Sequence, residues 1–222
     1  MTVALSVDVE PDFPPHYDTF KGKEGLKYIV DALKEKECSA TFFVCAELFD
    51  QHPDLIDTLR GFEIGCHGLR HVNLTSLSQF QIEAEIAEAS EVFNEHKIKA
   101  YGFRAPYCKV NYTVLSAVKK YFEYDSSMQF YSFGRMPGLA EAPVFIGGKA
   151  FGINPILFKA LTKTPLQKKV YFTHPWEYGG MDFQRIMEKR QRMKKWGYKQ
   201  ENYKKNLEAL LTEKTVAVKD VI

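Results

Sequence analysis

Short apolar runs alternate with segments of helical periodicity along all 222 residues, and this alternation restricts the fold more than any other feature of the chain. "TVALSVDV" (2–9), "SATFFVC" (39–45), "FEIGCH" (62–67), "IKAYGFR" (98–104) and "FEYDSS" (122–127) read as strands, being short, apolar and rich in β-branched or aromatic residues. "KEGLKYIVDALKEK" sets Leu26, Ile29, Val30 and Leu33 at helical spacing, and "HPDLIDTLRG" reads as a short helix closed by Gly61. "SLSQFQIEAEIAEASEVFNEHK" predicts a long helix with Ser76 as its N-cap, and "VNYTVLSAVKKY" predicts the next helix. "APVF", "KVYFTH" (169–174) and "TVAVKDV" are the remaining strand candidates, and helical patterns fill 151–162, 182–196 and 201–213. A repeating β–α order predicts a parallel α/β fold, either an open sheet or a closed barrel.

The placement of polar residues separates these two. Asp8, His67, Arg104, Asp125 and His174 all fall at strand C-terminal ends. In a (β/α) barrel those ends converge on one mouth, whereas the outer strands of an open sheet stand too far apart to share a site. The barrel is therefore expected, as one domain over residues 1–222. The Gly/Pro-rich stretch 134–152 reads as a long functional loop.

Composition excludes some roles. Apolar residues make up 45% and charged residues 26%, as in ordinary soluble proteins. A formal charge of +2 argues against a nucleic-acid binder. The segment 185–205 is locally basic, with only Glu188 and Glu201 as acids, and could contact an acidic surface weakly. No apolar run approaches the ~20 residues of a membrane span. The N-terminal residues lack the pattern of a secretory leader, so a cytoplasmic location is expected. Cys38, Cys45, Cys66 and Cys108 form no CxxC pair and read as buried free thiols.

Five stretches carry candidate chemistry. In "GCHGLRH", His67 and His71 lie four apart, so on a helical turn both rings would face one side and could share a metal; a structural pair has the same spacing. In "SVDVE", Asp8 and Glu10 point to one face of a strand, where two carboxylates repel unless a cation or shared proton relieves them. In "FRAPY", Arg104 can pin a carboxylate, and the turn at Pro106 could aim the Tyr107 N–H at an oxyanion. In "YDSS" and "FTHPWE", Asp125 could accept a hydrogen bond from His174 and hold it protonated.

Taken in order, "SVDVE", "HGLRH", "RAPY", "YDSS" and "FTHPWE" resemble the five motifs of the polysaccharide deacetylases, carbohydrate esterase family four, the NodB-homology domain. The "HPWE" wording looks most like a subgroup associated with exopolysaccharide synthesis. The resemblance implies a distorted (β/α) barrel of about seven strands. It also implies one divalent metal, usually zinc, and hydrolytic removal of N-acetyl groups from amino sugars of a poly- or oligosaccharide. It would make Asp8 the base, Glu10, His67 and His71 the metal ligands, Arg104 the group orienting Asp8, and Tyr107 part of the oxyanion site. His174 would be the acid, tuned by Asp125, with Pro106 and Trp176 against the substrate. Two features depart from the family pattern: Val9 separates the two acids, with Glu in the second place, and Met128 stands near a position where tryptophan is common. An allantoinase-like opening of a small amide and a degenerate sugar-binding barrel are the alternatives.

Overall fold

The computed structural model describes residues 2–11, 20, 22–131, 136–179 and 199–222. The predicted helix 182–196 and residues 185–198 of the basic run lie outside the described residues. One all-parallel sheet contains β1 (Thr2–Val9), β2 (Thr41–Val44), β3 (Glu63–Cys66), β4 (Gly102–Phe103), β5 (Tyr124–Asp125), β6 (Ala140–Glu141), β7 (Val144–Ile146) and β8 (Lys168–Thr173), in the order β6-β5-β4-β3-β2-β1-β8-β7. The helices are α1 (Lys23–Glu35), α2 (Glu47–Gln51), α3 (Asp54–Thr58), α4 (Gln79–Glu95), α5 (Tyr112–Val118), α6 (Pro155–Thr162) and α7 (Gln200–Leu211).

The sheet curls until its two ends meet. Val144 in β7 donates its N–H to Met128 O at 2.7 Å and accepts from Phe130 N at 2.9 Å, joining the segment after β5 to the far edge. This is the (β/α) barrel architecture, with eight strands rather than about seven. The extra strand arises because the run 140–146 is divided at Pro143, which has no N–H to give to a ladder. β6 pairs with β5 before the break, and β7 pairs with β8 after it.

β1 shows how the sequence sorts the two faces. Val3, Leu5, Val7 and Val9 point outward into the main core, where they meet the Leu26, Ile29, Val30 and Leu33 face of α1. Each such fully buried aliphatic side chain contributes about 1.5–3 kcal/mol. Ala4, Ser6, Asp8 and Glu10 lie on the other face, inside the barrel. Ala4 belongs to a smaller interior cluster with Phe43, Tyr124, Val170 and Val218. The inward face therefore turns from apolar at the base to acidic at the mouth.

The expected strand over 215–221 is replaced by one bridge and a 3-10 turn, Val218–Val221. β2 begins pairing with β1 only at Ser6, which leaves the lower half of that edge open. Val216 fills it, donating to Val3 O at 3.0 Å and accepting from Leu5 N at 3.3 Å. Thr41 Oγ1 then captures Val218 N at 2.7 Å, and the ladder stops. Two smaller differences concern helix starts. The N-cap of α4 is Ser78, in a capping box with Gln81, while Ser76 ends a preceding 3-10 turn. The helix expected over 52–61 is only α3, and α2 before it has no clear periodic signal. All four cysteines are free, and Cys38, Cys45 and Cys66 are buried.

Candidate active site

Glu10, His67 and His71 converge at the barrel mouth, with one possible ligand atom from each lying within 4.8 Å of the others. His71 Nε2 is 2.6 Å and His67 Nε2 is 3.6 Å from the same oxygen, Glu10 Oε2. The His67 ring is fixed from behind, its Nδ1 lying 2.8 Å from Arg104 O, so Nδ1 carries the proton and Nε2 offers its lone pair. The histidines meet through a loop after β3 and not through a helical turn. That loop reverses at Gly68, whose φ of +82° is one that side chains rarely adopt. Burial pushes the Glu10 carboxyl up, but the His71 and His174 charges hold it well below the usual carboxylate range. Once their Nε2 atoms are deprotonated, two imidazoles beside one buried carboxylate form a donor set that fits a divalent cation.

Asp8 lies beneath this triad and is buried. Arg104 Nη1 donates to Asp8 Oδ1 at 2.7 Å and to Ser6 Oγ at 2.7 Å. The rest of the guanidinium is bonded to Ser126, through Nε to its carbonyl at 2.7 Å and through Nη2 to its hydroxyl at 2.8 Å. Its Cζ lies 4.4 Å from the Phe43 ring centroid. Arg104 is thus a fully buried cation under the site, placed to orient Asp8 and not to touch substrate.

The turn after β4 has Tyr107 at φ 62° and Cys108 at φ 53°, two consecutive left-handed residues. Such strain costs about 1–3 kcal/mol per residue and gathers at functional sites. Pro106 is buried and sits under Gly68, outside the cleft wall. Tyr107 is 52% exposed, and its ring centroid lies 4.6 Å from that of His71.

His174 follows β8 directly and lines the same cleft, with Nε2 4.0 Å from Glu10 Oε1. Its carboxylate neighbour on the Nδ1 side is Glu177, at 3.4 Å, and not Asp125. Burial opposes a charge on His174, yet Glu10 and then Glu177 lift it to about 9. Trp176 stacks on the ring at 4.9 Å and donates Nε1–H to Glu10 Oε1 at 3.0 Å. Asp125 has other partners. It accepts from Ser127 N at 2.8 Å and Ser127 Oγ at 2.7 Å, and Ser127 Oγ accepts from Ala105 N at 2.7 Å. Asp125 therefore braces the strained "RAPY" turn.

Asp125 also faces Glu141. Burial raises both carboxyls, and the proximity of Asp125 adds to the effect on Glu141, which is pushed up to about 9. The pair is relieved by sharing a proton. Because folding raises this pKa, the folded chain binds more protons than the unfolded one between the ordinary glutamate range and about pH 9. Stability should therefore fall as pH rises through that window. Glu141→Gln is expected to flatten the dependence and to melt higher than the parent at pH 9. Parallel melting curves across pH for the two proteins would remove the shared proton.

The cleft has a volume of about 820 Å³. Asp8, the triad, His174 and Trp176 line its floor, and Tyr107, Tyr131, Lys149 and Leu161 are among its outer residues. Sequence reasoning missed Glu177, Ser127 and Tyr131. Glu177 had a signal, since it lies three residues after His174 in the quoted "HPWE", a spacing that allows a side chain to reach back across a turn. Tyr131 and Ser127 had none beyond proximity to Asp125.

The comparisons agree with the fold. The family model for "Polysaccharide deacetylase" matches residues 1–122. A protein designated a polysaccharide deacetylase from Mycobacterium smegmatis superposes with a TM-score of 0.72 at 18% identity, covering 99% of this chain and 89% of its own. A family 4 carbohydrate esterase from Streptomyces lividans, solved with acetate, gives 0.60 at 19% identity over 96% of this chain and 86% of its own. A pseudoenzyme of the same family from Bacillus anthracis gives 0.59 at 15% identity, over 99% of this chain and 64% of its own. At these identities the structural matches speak to the fold, and the family model speaks to descent. The chain belongs to the polysaccharide deacetylase family and is a hydrolase of the deacetylase kind.

Proposed function

We propose that this protein removes N-acetyl groups from amino sugars of a poly- or oligosaccharide, with one zinc ion held by Glu10, His67 and His71. One observation carries the reading: the three-ligand cluster, the Arg104-held Asp8 and His174 share a single cleft floor. Two imidazoles with one carboxylate form a common ligand set for catalytic zinc, which keeps an open position. When bound, such a metal supplies Lewis-acid polarisation of the acyl carbonyl and acidification of water.

The protein's own groups supply the remainder. Asp8 Oδ1 is occupied by Arg104, and among the described residues no hydrogen bond reaches Oδ2, so Oδ2 is the atom that takes a proton from the attacking water. The strained turn sets the Tyr107 ring against the His71 ring, and the role the family pattern gives its backbone N–H is to donate to the developing oxyanion. His174 Nε2 gives its proton to the leaving amine. The products are acetate and a free amino sugar.

The width of the cleft, with the exposed rings of Tyr107 and Tyr131 at its edge, favours a glycan over a small cyclic amide. The filled positions favour an active enzyme over a sugar-binding relic. The test is acetate release from a panel of N-acetylated oligosaccharides, with metal content measured on the same protein. His67→Ala and His71→Ala should each stay folded, lose bound metal and lose acetate release. Undiminished metal occupancy in both variants would overturn the ligand assignment.

A further inference from the structure

The turn after His174 is built around one carboxylate. Glu177 is 1% exposed and is held by two donors on Oε2: Thr173 Oγ1 at 2.5 Å and His174 N at 2.9 Å. Its other oxygen, Oε1, lies 3.4 Å from His174 Nδ1. The opposite wall is cut back to admit it. A Cβ at Gly148 would lie 2.5 Å from Glu177 Oε1, so the loop after β7 must carry glycine there. The His174 ring is confined on its other sides as well. Trp176 stacks against it, 24° from parallel, and Phe172 meets it edge-on at 83°. Asp125, meanwhile, is committed to Ser127 and Glu141.

We infer that Glu177 is the positioning residue for His174: it holds the Nδ1 edge of the imidazole so that Nε2–H faces the leaving nitrogen, the task the family pattern gives to Asp125. This rests on the deacetylase reading above. As the C–N bond breaks, its electron pair goes to nitrogen. Nε2–H transfers its proton to that nitrogen, the imidazolium becomes neutral imidazole, and the amine departs uncharged. The Glu177 carboxylate stays beside the Nδ1 edge throughout, at ion-pair distance. A negative charge at that edge matters most when the leaving group is basic and needs the proton early. A good leaving group, such as p-nitrophenolate, departs without it. Gly148 and the "HPWE" turn thus form one device, in which the first makes room for the carboxylate and the second supplies it.

The experiment compares an N-acetylated oligosaccharide with p-nitrophenyl acetate on the zinc-loaded protein. Glu177→Gln keeps the size of the side chain and an acceptor for Thr173 and His174 N, but removes the charge. It should lose kcat on the acetamide by about 10²-fold, within the range of a positioned acid, while losing only severalfold on the ester and keeping its zinc and its KM. Glu177→Asp should recover part of the acetamide rate. Gly148→Ala, which crowds the carboxylate without altering it, should show the same skew between substrates in milder form, and it decides the matter if Glu177→Gln does not fold. Equal losses on both substrates, or none, would overturn the inference and leave the deacetylase reading standing. Wild-type protein that releases acetate from no acetamide would overturn that reading, and this inference with it.

Discussion

Asp8→Asn is expected to lose acetate release by about 10²–10⁴-fold, the contribution of a positioned base, while keeping its metal. Glu10→Gln is expected to lose metal affinity and to regain part of its rate in excess metal. Asp8 and Glu10 share one face of β1, yet their surroundings differ. Glu10 receives His71 Nε2 at 2.6 Å and the Trp176 indole at 3.0 Å, so it stands among ligands. Asp8 faces Arg104, with one oxygen bonded and the other aimed at the cleft. A ligand contributes binding energy to the cation, whereas a base contributes to one proton transfer, so only the ligand variant can be rescued by mass action. The measurement is metal content by elemental analysis alongside rate at increasing zinc. If Asp8→Asn is the metal-deficient, metal-rescued variant, the roles of the two acids are exchanged.

Arg104→Met should produce the largest loss of stability among single changes at the site. The guanidinium is fully buried, and its loss strands the Asp8 carboxylate together with acceptors on Ser6 and Ser126. Breaking a buried pair from one side costs about 3–5 kcal/mol, because the surviving charge keeps its desolvation cost without a partner. For a chain of this length that corresponds to a drop of roughly 6–20 °C in melting temperature. Adding Asp8→Asn to Arg104→Met removes the stranded charge and should restore part of the loss, so the two changes will not add. A strictly additive double variant would mean that Arg104 contributes packing against Phe43 and no charge pairing.

The fold was largely legible because its main rule is a period. β1 and α1 follow their hydrophobic spacing residue by residue, and the five polar strand ends meet at one mouth as the barrel requires. The count of strands was not legible. Whether Pro143 ends a strand or merely kinks it depends on which neighbour offers an acceptor, and that is a tertiary fact. "TVAVKDV" reads as a strand by propensity but becomes a plug, because only the lower half of one edge was open to it. The site was half legible. Residue types and spacing pointed to the triad and to Asp8, since these side chains stand at strand ends that the barrel brings to one mouth. The neighbour of His174 was misassigned because the reading followed the family pattern to Asp125, whereas Glu177, three residues on, reaches back to the ring across the turn.

The plug also bears on how this protein comes to exist. The strand that carries Asp8 and leads into Glu10 is completed at its base by Val216, more than 200 residues further along the sequence. While the polypeptide is being made, β1 leaves the ribosome long before Val216 and keeps half of one edge unpaired until that residue follows. Contacts so distant in sequence slow folding. An aspartate and a glutamate on an unfinished strand are, in that interval, loose carboxylates without a geometry. Glu10 meets His67 and His71 only when the barrel closes, so the geometry of this cluster belongs to the folded barrel and not to the nascent strand.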